Sequence, residues 1–301
     1  MVVLRSEIID FRFARKVAVI VPDEFDNIND AIDFLVDEYQ GGYVLVKRVN
    51  NLTINEPIVL KCGVFIKGLY NRSVPDGKPV IIANCSPAIT YDSRTINTSV
   101  YYGSYNAGIE FIKIDGQGQY NDGIELNGNM YVRDVEVVNF VRYSFYSLGG
   151  ENEIINPKSD GGDIAIYLYT GKTRVRNGYV KNCRMGIKID SNENEVKSLK
   201  VESTSEDGIY VSGSENIVEK NFIYNPSGNG GYVGIRLDCR RCKIKNNRIV
   251  DDRSPPLTDY SIYETTNANE NEIVGNYCYG YNVEAIYVVG TMTVRANNLI
   301  I

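Results

Sequence analysis

The stretch "GIKID" ends on Asp190 and "GIRLD" ends on Asp238, two copies of one short motif with a cation two positions before each carboxylate, Lys188 and Arg236. The chain contains no histidine, which removes His-based triads, His metal sites and imidazole acid–base chemistry. Carboxylates are then the remaining acid–base groups of the usual kind. Asp190 and Asp238 could share the work of a general acid and a general base, and Lys188 and Arg236 beside them could bind an acidic sugar. A solvated face also collects Asp, Lys and Arg without any catalysis, and both readings stay open.

Tyrosine supplies a second kind of chemistry. The position after the apolar residue opening each such motif reads Glu125, Tyr146, Tyr167, Lys188, Tyr210, Arg236, Tyr263 and Tyr287. Two positions further on stand Asn127, Leu148, Tyr169, Asp190, Ser212, Asp238, Thr265 and Val289. Tyrosine rings are flat and apolar with a polar tip, which suits the apolar faces and hydroxylated edges of sugars. Tyr146, Tyr167, Tyr169, Lys188, Tyr210, Tyr263 and Tyr287 are therefore the candidate carbohydrate-binding residues. Aromatic stacking that only stabilises a repetitive fold is the alternative.

The elements that position these residues follow from a repeat. The opening apolar residues are Ile124, Phe145, Ile166, Ile187, Ile209, Ile235, Ile262 and Ile286, at steps of 21, 21, 21, 22, 26, 27 and 24 residues. A second column keeps pace: Val132, Ile154, Val175, Val196, Val218, Ile244, Val274 and Val294. Alternating apolar residues in short runs mean strands, and the Gly, Asn, Asp and Ser between them mean turns. Units this small cannot bury a face alone, so they stack. Neighbouring rungs would then lie about 4.8 Å apart, placing Asp190 and Asp238, two rungs from each other, about 9.6 Å apart. Inverting glycosidases hold their carboxyls roughly 6.5 to 9.5 Å apart, which this spacing permits.

Asparagine marks the corners. Asn139, Asn182, Ser203, Asn225 and Asp251 share one register where the chain must turn, a place suited to left-handed backbone. Asn221, Asn247 and Asn297 share another, which predicts a stacked amide ladder. Insertions "PSGNGGY" before Ile235 and "RSPPLTDY" before Ile262, and the long segment "YDSRTINTSVYYGSYNAG" before Ile109, are expected to border the tyrosine face.

Near the N-terminus, "NINDAIDFLVDEY" sets Ile28, Ala31, Ile32, Leu35, Val36 and Tyr39 on one helical face, with Asn27 as N-cap and Gly41-Gly42 as the stop. This helix can cover the open end of the stack. The strand-like runs "GGYVLVKR", "LTINEPIVL", "GVFIKGL" and "PVIIAN" follow it.

Composition narrows the function classes. The net charge of −6 over 301 residues, with dispersed Lys and Arg, argues against nucleic-acid or anionic-membrane binding. No apolar run reaches the length of a membrane span, so no membrane insertion is expected. Charges interrupt the first residues, "MVVLRSEIIDFRFARKVAVIV", which lack the apolar core of a secretory signal. Of six cysteines only Cys239 and Cys242 are closely spaced, and they read as structural, free or bridged. Sequons at Asn51, Asn71, Asn84 and Asn97 are explained at least as well by chance.

The order "FDNINDAIDFL…GGYVLV…LTINEPIVLKCGVFIKGL", with the later "GI-x-V…I-x-x-N-x-I-x-N" units, resembles pectin-lyase-like right-handed parallel β-helix proteins and their carbohydrate-binding or sugar-hydrolase repeats. The resemblance covers almost the whole chain. It implies an all-β, right-handed single-stranded parallel β-helix with an N-terminal amphipathic capping helix. The expected organisation is one domain, 1–301: N-terminal strand and helix in 1–42, first coils with a long insertion in 43–106, and regular coils in 107–301. "YNDGIEL" resembles the Asn-Thr-Asp-Gly signature of polygalacturonase-like hydrolases, but the Thr, the paired Asp of the next coil and the family's His are absent.

Two functions are weighed from this resemblance. One is a virion or surface protein such as a spike, fibre or adhesin, meeting glycans through the tyrosine face without cofactor or metal. It is made in the cytoplasm and placed on a virion or outer surface without a classical signal peptide. The final "MTVRANNLII" ends inside a strand, which suggests a homo-oligomer, a trimer by this resemblance. The other is a polysaccharide lyase or glycoside hydrolase using Asp190, Asp238 and Arg236, with calcium if it is a lyase.

Overall fold

A computed structural model describes residues 17–48, 52–69, 77–92 and 106–301. N-terminal residues 1–16, the sequons at Asn51, Asn71 and Asn97, and most of the insertion before Ile109 lie outside the described residues.

Short strands of alternating burial wind into a parallel β-solenoid. Each full rung gives one strand to each of three sheets, of twelve, ten and eleven strands. Branched aliphatic side chains turn inward at period two along most strands, and each rung pairs in parallel with the next. The first apolar column is paired throughout, from Ile124 with Phe145 to Ile262 with Ile286. Its members are buried.

The second column holds from Val132 to Ile244 and then departs from the expected register by one residue. Ile244 pairs with Ile273, and Ile273 with Arg295, in place of Val274 and Val294. Ile273 is fully buried whereas Val274 is only half-buried. Two β-branched residues stand side by side in "EIVGN", and the backbone admits only one of them to the core.

The corners follow their chemistry. Asn139, Asn182, Ser203 and Asn225 all have positive φ. Asp251 occupies the same register with ordinary φ, buried and bonded to its own loop. The amide ladder is longer than expected and ends one residue later: Asn221, Asn247, Asn276 and Asn298. Asn221 Nδ2 donates to Asn247 Oδ1 at 3.0 Å, Asn247 Nδ2 to Asn276 Oδ1 at 3.0 Å, and Asn276 Nδ2 to Asn298 Oδ1 at 3.1 Å. Each Oδ1 also accepts the backbone N–H of the preceding rung's asparagine. Asn297 instead takes the left-handed turn beside the ladder.

The helix Ile28–Tyr39 buries Ile28, Ala31, Ile32 and Leu35 against the first strands. Asn27 caps it by accepting the Asn29 N–H at 2.8 Å. Gln40 ends it in a left-handed conformation with its N–H on the Val36 carbonyl. Tyr39, placed on the apolar face by its spacing, is exposed. All six cysteines are free thiols, and five are buried.

Replacing Asn247 by Ala removes hydrogen bonds to both neighbouring rungs and leaves their buried partners unsatisfied. The expected loss is about 2 to 3 kcal/mol, read as a lower denaturant midpoint, with exposed Lys243→Ala leaving the midpoint unchanged.

Candidate functional site

The outer face of the ten-stranded sheet carries the expected tyrosine and charge residues in continuous ranks. Glu125, Tyr146, Tyr167, Lys188, Tyr210, Arg236, Tyr263 and Tyr287 pair rung to rung without a break. A further rank flanks them: Asp122, Tyr143, Ile164 and Met185 in direct register, then Asp207. Period-two reasoning missed it because the strand is kinked just before each opening apolar residue. A small residue there points inward: a Cβ on Gly186 would lie 2.4 Å from Val201 Cγ1, and one on Gly208 would lie 2.7 Å from Ile223 Cγ2. The residue before the small one is thereby thrown outward. The recurring Gly, Ser or Ala at that position was the available signal.

The tyrosines gather into two pads. In the first, Tyr146 and Tyr167 stack with centroids 5.2 Å apart and planes at 11°. Tyr143 and Tyr169 tilt against them, over Ile164 and Met185. In the second, Tyr263 and Tyr287 stack at 5.4 Å and 6°, with Tyr260 against both. Tyr169 and Tyr287 are exposed at 48% and 38%, whereas Tyr167 retains only 7%. The outer rings offer contact area and Tyr167 is their support.

Between the pads lies a polar floor. Asp190 accepts hydrogen bonds from Tyr167 Oη and Ser212 Oγ, both at 2.6 Å, and pairs with Lys188 Nζ at 2.7 Å. Burial pushes its carboxyl pKa up, but these three donors outweigh burial and hold it below the ordinary value. It stands ionised at neutral pH, as an acceptor and not a proton donor. Burial, and then the hydrogen bond to Asp190, raise the Tyr167 phenol. Asp238 receives Thr265 Oγ1, and Tyr210 Oη at 3.5 Å. Asp190 and Asp238 thus share one rank with Ser212 between them.

Arg236 turns away from both. Its Nε and Nη2 bond the buried Asp207 carboxylate at 2.6 and 3.2 Å, and its guanidinium lies 5.5 Å from the Tyr263 ring centroid. Asp207 also accepts the Val233 N–H at 2.9 Å. The same solution recurs along the sheet's leading edge. Asp122 of "YNDGIEL" binds Arg142, and Asp163 of "GGDIAI" shares Arg184 with Glu206. Glu125 is the carboxylate on this face whose pKa is raised, chiefly by burial, while Thr90 Oγ1 donates to it at 3.3 Å. Among the described residues no cluster of three or more Cys, Asp or Glu could hold a metal ion, and no helix is long and apolar enough to cross a membrane.

The two described insertions lead into the strands Tyr232–Leu237 and Thr258–Glu264 and are tied to each other. Ser227 Oγ donates to the Leu257 carbonyl at 3.2 Å, and Thr258 Oγ1 to the Pro226 carbonyl at 3.2 Å. Asp251 anchors the second, binding Arg253 and the N–H groups of Leu257 and Thr258, and Arg253 in turn donates to the Pro226 carbonyl of the first.

A family model described as a right handed beta helix region matches residues 122–300, more than half of the chain. No curated protein sequence matches it. Among solved structures, ORF18 of Geobacillus virus E2 superposes with TM-score 0.68 at 16% identity over 93% of this chain and 60% of that one. The A-module of a mannuronan C-5 epimerase from Azotobacter vinelandii gives 0.58 at 13% identity, over 91% of this chain and 94% of the module. A tailspike mutant of E. coli bacteriophage HK620 in complex with a pentasaccharide gives 0.59 at 12% identity, over 91% and 62%. The chain spans less than two thirds of both phage proteins. At these identities the likeness is one of fold.

Asp251 generates a pH prediction. Burial raises its carboxyl, yet the bonds from Arg253, Thr258 and Leu257 outweigh burial and bring its pKa down to about 2 from 3.8. A depressed folded pKa contributes stability that is complete above the unfolded value and lost as pH falls through the folded one. Denaturant midpoints should therefore fall between pH 3.8 and about 2, and Asp251→Asn should be less stable at neutral pH with a flatter acid limb.

Proposed function

Because the chain belongs to the right-handed β-helix family, we propose that it is a glycan-binding protein of a virion or outer surface, which takes an oligosaccharide along the outer face of its ten-stranded sheet. The observation carrying this reading is the pairing of two tyrosine pads on one face, four rungs apart from Tyr167 to Tyr263, or about 19 Å, with a polar floor between them. Stacked rings fit the apolar faces of sugars at either end, and Ser212, Thr265 and the carboxylates of Asp190 and Asp238 meet hydroxyls in the middle. The viral protein and the pentasaccharide-bound tailspike are similar in fold to this chain and lend the reading support.

A second reading, cleavage or epimerisation of the glycan by Asp190, Asp238 and Arg236, is favoured by the alignment of the two aspartates in one rank and by the fold likeness to the epimerase module. The donors on Asp190 and the engagement of Arg236 by Asp207 weigh against it, since neither group is free to exchange a proton.

Glycan-array screening followed by calorimetry tests the binding reading. Tyr169→Ala and Tyr287→Ala should each weaken binding about tenfold, equivalent to about 1.4 kcal/mol, while the lost ring contacts cost only about 1 kcal/mol of stability and leave the protein folded under the binding conditions. Unchanged affinity in both variants would sink it. Mass spectrometry of the incubated glycan separates the readings: chains should emerge intact, and shortened or modified products that vanish in Asp190→Asn would establish the second.

A further inference from the structure

We infer that the glycan held by this face is neutral, not a uronic-acid or otherwise anionic polymer; the inference rests on the glycan-binding reading above. The argument is electrostatic. Among the described residues, Arg142, Arg184, Lys188 and Arg236 are cations of the outer face and its leading edge. Every one is already committed to a carboxylate of the protein: Arg142 to Asp122, Arg184 to Asp163 and Glu206, Lys188 to Asp190 and Arg236 to Asp207. Two of those carboxylates, on Asp122 and Asp207, are almost wholly buried. Withdrawing an arginine toward a ligand would leave such a charge buried and unpaired, which costs several kcal/mol.

The remaining charges have the opposite sign. Glu125, Asp238, Asp259 and Glu284 lie along the same face and, among the described residues, form no ion pair. Among the described residues, an anionic chain laid across the pads would therefore meet carboxylates without an ion pair and find each of these four cations already engaged, a repulsion acting over roughly 8 Å at physiological salt. A neutral chain meets none of this. It stacks on the tyrosines, whose attraction needs no charge, and its hydroxyls donate to carboxylates that lack a partner cation. The cations that suggest acidic-sugar binding in the sequence are thus consumed within the fold.

Matched pairs test this: oligosaccharides of polygalacturonate and alginate beside the same chains after carboxyl reduction to neutral sugars, added to the neutral members of the glycan panel. Calorimetry is run at low and high salt, with and without calcium. The expected result is binding confined to neutral chains and insensitive to salt. In the double variant Asp259→Asn, Glu284→Gln the affinity for a carboxylated chain relative to its reduced partner should rise by a few-fold. Tighter binding of a carboxylated chain than of its reduced partner, with or without calcium, overturns the inference while leaving glycan binding standing. Absence of binding to either member of every pair, and to the whole panel, overturns both.

Discussion

Everything in this molecule depends on one rung sitting on the next in fixed register. Strand N–H groups within the stack reach carbonyls on neighbouring rungs, and the corners do the same, as where Asn182 N–H meets the Glu202 carbonyl and Ser203 N–H meets the Tyr224 carbonyl. A side chain's character is therefore judged against the residues above and below it. An apolar residue at an inward position extends the core, and a carboxylate at an outward position must find a donor on an adjacent rung. The asparagine ladder shows the same logic in a buried setting: an amide satisfies one neighbour with its nitrogen and the other with its oxygen. It propagates through Asn221, Asn247, Asn276 and Asn298 without an unpaired member.

The functional face arises where that repetition is interrupted. Tyr146 and Tyr167 would be an unremarked column of stacked rings if the column ran on unchanged. Lys188 and Arg236 break it, leaving Tyr210 between them with its hydroxyl on Asp238, and the break divides the other tyrosines into two pads with a polar floor. The kink at the small inward residue widens each pad by turning Tyr143 and Tyr260 outward beside their neighbours. The insertions near residues 226–232 and 253–260 add a wall at the leading edge, tied to each other through Ser227, Arg253 and Thr258, with the buried Asp251 carboxylate holding the second. Rigid elements thus fix both the aromatic surface and the groups beside it, which lowers the conformational cost of binding.

Much of this was legible in the sequence because parity and period constrain a solenoid so strongly. The column from Ile124 to Ile286 and the rank from Glu125 to Tyr287 follow from spacing alone, and so does the helix with its Asn27 cap. What escaped was local or relational. Val274 and Ile273 are chemically alike, so only backbone parity decides between them, and a turn of unknown length hides the parity. The same one-residue ambiguity separated Asn297 from Asn298. Tyr143 and Tyr260 were missed because the inward kink before each opening residue breaks strict alternation. The pairing of Arg236 with Asp207 joins residues 29 apart across a rung carrying an insertion, and no spacing rule identifies which carboxylate an arginine will choose.

That choice separates a binding face from a catalytic one. A general acid needs a carboxyl held near its working pH, and a catalytic arginine needs to meet developing charge on a substrate. Here the donors around Asp190 keep it ionised, and Arg236, held by Asp207, lies against the Tyr263 ring of the second pad. Both groups stabilise the scaffold in the ground state, and a reaction that displaced them would loosen Tyr167, bonded to Asp190, and Tyr263, packed against Arg236. Glu125, the carboxylate on this face with a raised pKa, lies beside Tyr146, three rungs from the strand bearing Asp190. That is about 14 Å at the rung spacing, beyond the carboxyl separation of either hydrolytic geometry. Charge, pKa and distance therefore favour the proposed binding reading of this face over the catalytic one.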